Sequence, residues 1–113
     1  MIKKFNSLQE FYPFYLTEHS NTICRSLHFV GTSIVIGLLI SAIITQKWWL
    51  LLLMPLAGYG FAWVGHFVFE KNKPAAFKQP LYSLASDFLM FYHIITFQIQ
   101  EKLTEAKSIY GTN

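Results

Sequence analysis

Ser26–Gln46 (SLHFVGTSIVIGLLISAIITQ) and Trp48–Phe69 (WWLLLLMPLAGYGFAWVGHFVF) carry no acidic residue, lysine or arginine, and only Lys47 separates them. Each is long enough to cross a hydrocarbon core of about 30 Å as a helix. A one-residue separation predicts a tight helical hairpin. Each stretch holds one histidine near the same end, so His28 and His66 are expected at one membrane face. An ionisable group inside a spanning helix is costly unless partnered, which makes the pair a functional hypothesis.

Composition agrees. Of 113 residues, 53% are hydrophobic and 13% charged, against roughly a quarter charged in a typical soluble domain. The net charge of +3 is not gathered into a dense run. Basic residues are not interleaved with aromatics, so nucleic-acid binding is not expected. The single cysteine, Cys24, excludes an intrachain disulfide and any CxxC metal ribbon. Lys3 and Lys4 precede Asn6, Ser7, Gln9 and Glu10, where a signal peptide needs an apolar core. The chain is therefore expected to insert through its own helices.

Working outward, residues 1–113 read as a single membrane domain, all-α, with an interfacial helix over 5–19 and apolar helices over 23–46, 48–70 and 80–103. Ser7 and Glu10 fit a capping box. Phe5, Leu8, Tyr12, Tyr15, Leu16 and His19 recur at helical spacing, with Pro13 as a potential kink. Trp48 and Trp49 mark the far interface. Gly58, Gly60 and Gly65 would permit close helix contact. Pro80 suits the first turn of the last apolar helix. That helix contains Asp87 and His93, so it is expected either to cross or to lie partly in the interface. With about three crossings, Lys3, Lys4, Arg25, Lys71, Lys73 and Lys78 fall on the histidine side, against Lys47, Lys102 and Lys107. The positive-inside rule then puts the histidine side in the cytoplasm.

Depth decides which polar groups can meet. At about 1.5 Å per residue, His28 lies roughly 8 Å below the surface, His66 roughly 6 Å and Asp87 roughly 10 Å. His19 can fold in from the interfacial helix above them. His93, roughly 20 Å from that surface, is expected to sit apart. Three histidines with nearby carboxylates suit iron, zinc or manganese. Histidines that only hydrogen-bond between helices are the plain alternative. Asp87 needs a partner in either case, a loop lysine or a ligating histidine.

The string His19-Ser-Asn21-Thr-Ile-Cys-Arg-Ser-Leu-His28-Phe-Val-Gly31-Thr32, followed by Trp63-Val-Gly-His66-Phe-Val-Phe-Glu70-Lys71-Asn72-Lys73-Pro74-Ala75, resembles a small membrane family long labelled a domain of unknown function. One fungal branch of that family is an iron-dependent 2-hydroxy-fatty-acid dioxygenase of the endoplasmic reticulum. The resemblance runs from about Phe11 to Met90, on the paired motifs H-x8-H-x-x-G and G-H-x3-E-x-x-x-P-A. Pro80-Leu-Tyr-Ser83-Leu-Ala-Ser-Asp87-Phe looks more like the bacterial branch. The resemblance implies His19, His28 and His66 as Fe(II) ligands and catalytic residues, with Glu70, Asn21 and Pro74 matching its motifs. It implies α-oxidation, in which a 2-hydroxy fatty acid and O2 give CO2 and an acid one carbon shorter. The acyl chain would then lie between the apolar helices, with Arg25, Lys71 or Lys73 drawing in the carboxylate. A bacterial inner membrane or the endoplasmic reticulum is the implied location. Two other classes stay open on the residues: a non-catalytic membrane scaffold, and a protein binding haem b through two histidines.

Overall fold

The structure, a computed structural model, describes residues 5–73 and 79–110. Lys3, Lys4, Pro74, Ala75 and Lys78, used above, lie outside them. The described residues are helical and contain no strand.

Helix α1 (Leu8–Thr17) starts where Ser7 Oγ accepts the Glu10 amide, 3.2 Å, and it runs through Pro13. Glu10 Oε1 accepts the Asn6 amide, so the box closes one residue early. A tight last turn ends α1, with the His19 amide on the Leu16 carbonyl. Asn21 then caps α2 (Thr22–Thr45), its Oδ1 accepting the Cys24 amide at 3.0 Å. Gln46 adopts a left-handed conformation (φ 57°) and turns the chain.

The return helix changes pitch twice. Trp48–Leu52 is a tight 3₁₀ segment, Leu53–Val64 is α-helical (α3), and Gly65–Glu70 widens into a π-helical turn. π turns are rare and are frequently found at functional sites. Lys71, left-handed at φ 59°, ends the helix. Within Thr22–Thr45 and Trp48–Glu70, 18-residue stretches reach mean hydropathies of 2.3 and 1.5. Both bury few of their residues, and Ile44, Leu52 and Leu56 are more than 70% exposed. A helix that leaves such residues uncovered needs an apolar partner, lipid or protein, around it. Of the glycines expected to bring the helices together, Gly65 does so, since a Cβ there would lie 2.9 Å from Cys24 Sγ. Gly58 would make an ordinary contact and Gly60 none, whereas Gly31 on α2 is tight against Phe61.

The expected single helix over 80–103 is divided. Helix α4 (Pro80–Ile95) has 16 residues and α5 (Ile99–Tyr110) has 12. Between them Phe97 takes φ 62°, and the Gln98 amide closes on the His93 carbonyl. Sixteen residues rise about 24 Å, short of a full crossing. Two helices among the described residues, rather than about three, are thus long and apolar enough to span. The Phe91 ring stacks on Phe29, one residue past His28, so α4 stays near the histidine end. The physical reason lies beyond Thr96, where Gln98, Gln100, Glu101 and Lys102 replace apolar residues. Helix α5 is amphipathic instead, and it packs against α1. Leu103 and Ala106 join Phe5, Phe11, Tyr12, Tyr15, Leu16 and Met90 in an aromatic core capping the hairpin. Lys102 and Lys107 therefore lie on the helix beside α1, not with Lys47.

Candidate metal centre

His19, at the end of α1, His28 on α2 and His66 in the π turn come together and are 1%, 5% and 2% exposed. Their ring centroids lie 4.4 to 4.9 Å apart, each pair edge to face. Cys24, one turn before His28, completes a buried set of four donors whose ligand atoms all lie within 4.8 Å of one another.

Hydrogen bonds fix which ring nitrogen of each histidine carries the proton. His19 Nδ1 faces the Tyr15 carbonyl at 2.6 Å, and His28 Nδ1 faces the Cys24 carbonyl at 2.9 Å. A carbonyl only accepts, so both Nδ1 atoms are protonated. His66 Nδ1 faces Asn72 Oδ1 at 2.7 Å. The Asn72 orientation is set in turn, because its Nδ2 faces the Glu18 carbonyl and carboxylate at 3.2 and 3.3 Å. His66 Nδ1 must therefore donate as well. Neutral imidazole has one N–H, so all three Nε2 atoms present bare lone pairs. Those of His19 and His28 face each other at 3.1 Å, with no proton left to bridge them.

Two lone pairs so placed repel unless a cation lies between them. Nitrogens 3.1 Å apart can both stand about 2.1 Å from one ion, whereas a tetrahedral arrangement would separate them by about 3.4 Å. The donor set, with each imidazole held through its other nitrogen, matches what a transition metal uses. Burial, followed by the neighbouring rings of His28 and His66, holds His19 well below the usual histidine range. It is therefore deprotonated and available near neutral pH.

The surroundings sort the other expected residues. Tyr15 stacks on His19 with centroids 4.0 Å apart, and its hydroxyl donates to Asp87. Burial pushes the Asp87 carboxyl up to about 6, against the opposing hydrogen bond from Tyr15. Glu70 accepts the Asn21 amide, tying the π turn to the start of α2. Arg25 is buried and donates to the His19 and Ser20 carbonyls, both at 2.8 Å, and to Thr22. It braces the α1–α2 connection instead of reaching toward a ligand carboxylate. Lys71 and Lys73 are exposed just past the π turn. His93 stands apart, with its Nδ1 2.8 Å from Tyr12 Oη.

Sequence reading missed Cys24, Asn72, Tyr15 and Glu18. Tyr15–His19 and Cys24–His28 each have i, i+4 spacing, a signal that was available. Asn72 meets His66 six residues away only because of the π turn and the left-handed Lys71.

A cavity of about 340 Å³ opens from the three histidines between α2, α3 and α4. Asp87 and Ser83 line it, and the buried Ser83 hydroxyl has no hydrogen-bond partner among the described residues.

The family model described as 2-hydroxy-palmitic acid dioxygenase Mpo1-like matches residues 5–99, and the chain belongs to that family. Neither the curated proteins nor the solved structures gave a match.

Proposed function

Taking that membership as premise, we propose that this chain is an Fe(II)-dependent membrane dioxygenase. Its substrate would be a 2-hydroxy fatty acid, shortened by one carbon. The observation that carries the reading is the convergence of three buried imidazoles, ring centroids 4.4 to 4.9 Å apart, each held by a hydrogen bond through Nδ1. His19, His28 and His66 would hold the metal, with iron preferred and zinc or manganese as alternatives. Residues 1–113 act as one membrane domain in this reading.

Bound iron(II) would supply the redox partner that O2 needs, with positions left for substrate and O2. The balance closes without an external reductant. A 2-hydroxy acid plus O2 gives the shorter acid, CO2 and water, and the substrate yields the four electrons that O2 takes. The chain's own residues then have separate tasks. Ser83 Oγ–H would donate to a substrate head oxygen, giving its buried hydroxyl a partner. Asp87, poised near neutrality and paired with Tyr15, is suited to exchange a proton at the head. The apolar walls keep water from the reacting carbons.

Two other classes are less well supported. A scaffold gains nothing from opposed bare nitrogens. A haem would have to enter between two of these rings, whose centroids lie only 4.4 to 4.9 Å apart in every pair. The histidine end gathers Arg25, Lys71 and Lys73, with Lys102 and Lys107 on the helix beside α1, while Lys47 stands at the far turn. This bias favours a cytoplasmic site, in a bacterial inner membrane or the endoplasmic reticulum.

The test is turnover by detergent-purified, iron-loaded protein of 2-hydroxypalmitate under O2. Production of the acid one carbon shorter, lost in His66→Ala, is expected. Full activity in His66→Ala would refute the assignment. Iron binding without turnover would refute the substrate alone.

A further inference from the structure

The cavity does not end at the histidines. Its wall along the return helix follows Leu51 in the 3₁₀ segment, Met54, Gly58 and Ala62 on α3, and His66 in the π turn, at spacings of three and four that keep roughly one helix face. Thr32 and Val35 continue the opposite wall below His28. Fifteen residues at about 1.5 Å each put Leu51 roughly 22 Å from His66. Leu51 and Tyr59 are 37% and 50% exposed, so the groove opens along one side toward lipid.

These dimensions suit a hydrocarbon chain. Carbon–carbon bonds of about 1.5 Å at about 111° advance roughly 1.25 Å each. A palmitoyl-length chain then extends about 19 Å, which fits between the nitrogens and Leu51. Gly58 lies eight residues from His66, about 12 Å or nine to ten bonds along the track. A Cβ there would already touch Val35 on the opposite wall, at 3.5 Å. The two helices already meet at that level, so a side chain longer than alanine at position 58 has to extend into the groove that runs beside the contact. Met54 lies about 18 Å from His66, or roughly fourteen bonds.

We infer that the α2–α3 groove is the acyl track of this site, and that side-chain bulk at positions 58 and 54 sets the longest chain accepted. The inference takes its ligand class from the proposed function, but it does not depend on turnover. Gly58→Leu obstructs chains that reach beyond about ten bonds, and Met54→Trp only those beyond about fourteen. Leucine is also the better helix former, so Gly58→Leu is not expected to unfold α3.

The experiment is calorimetric binding under argon to the protein with the metal it carries, in nanodiscs. The ligands are 2-hydroxyoctanoate, 2-hydroxylaurate and 2-hydroxypalmitate. In Gly58→Leu, laurate and palmitate affinities should fall at least tenfold relative to octanoate. In Met54→Trp, palmitate should fall at least tenfold relative to laurate. Unchanged ratios in variants with wild-type helicity and melting would overturn the inference, as would the same cut-off in both. Either variant is informative alone should the other fail to fold. Length-dependent binding without turnover would preserve the track and refute 2-hydroxy acids as the substrate. Turnover with length-independent affinities would do the reverse.

Discussion

Replacing Asn72 by alanine tests how the site is held together. Asn72 Oδ1 is the acceptor that keeps the His66 proton on Nδ1, and Nδ2 anchors it to Glu18. In Asn72→Ala the imidazole can rotate or shift its proton to Nε2, and either change removes a lone pair from the cluster. Loss of such an orienting partner typically costs 10–100-fold in metal affinity, or about 1.4–2.7 kcal/mol. The fold should survive, because Glu70 still ties the π turn to Asn21. Anaerobic competition against a chelator, with Fe(II) or Co(II), reads the affinity, and thermal melting reads the fold. A 10–100-fold weakening with melting shifted only a few degrees is expected. Wild-type affinity would refute the tautomer argument, and with it the claim that His66 Nε2 is held bare.

Other consequences follow from the same geometry. His28→Ala should lose iron, because it removes a donor outright, whereas His93→Ala should retain it; inductively coupled plasma analysis of both proteins decides this. Ser83→Ala should raise KM for a 2-hydroxy acid severalfold with a smaller change in kcat, since the hydroxyl would contact the head in ground and transition states alike. Asp87 gives a pH signature. Its folded carboxyl holds its proton up to about 6, while the unfolded chain releases it near 3.8. The folded state thus binds more protons in that window, and wild type should lose stability relative to Asp87→Asn as pH rises from about 4 to about 6. The change is on the order of 3 kcal/mol. A flat difference between the two melting curves across the window would contradict the burial of Asp87.

Much of this was legible in the chain. The hairpin follows from two uncharged runs and one lysine, and the meeting of His28 and His66 follows from their equal depth. His19 was placed by its position at the end of the interfacial helix, from which it can fold inward. The split of the last helix was less visible, because Pro80–Ile95 is apolar and the break at Phe97 depends on a left-handed residue that is neither glycine nor asparagine. The packing of α5 on α1 is a long-range contact of aromatic and small residues with no local signal. The π turn was hidden for a similar reason. Helical periodicity assumes 3.6 residues per turn, so the reach of Asn72 to His66 could not be counted from spacing. Arg25 looked like a headgroup ligand from its position, but the carbonyls it caps are set by the fold.

The central claim is that three bare imidazole nitrogens hold one metal ion. The direct measurement is metal analysis of protein purified anaerobically in detergent, with its absorption spectrum. About one iron per chain without a Soret band, falling to background in His66→Ala that still folds, is the predicted result. Folded wild-type protein that carries no transition metal and takes up none from Fe(II) would contradict the account.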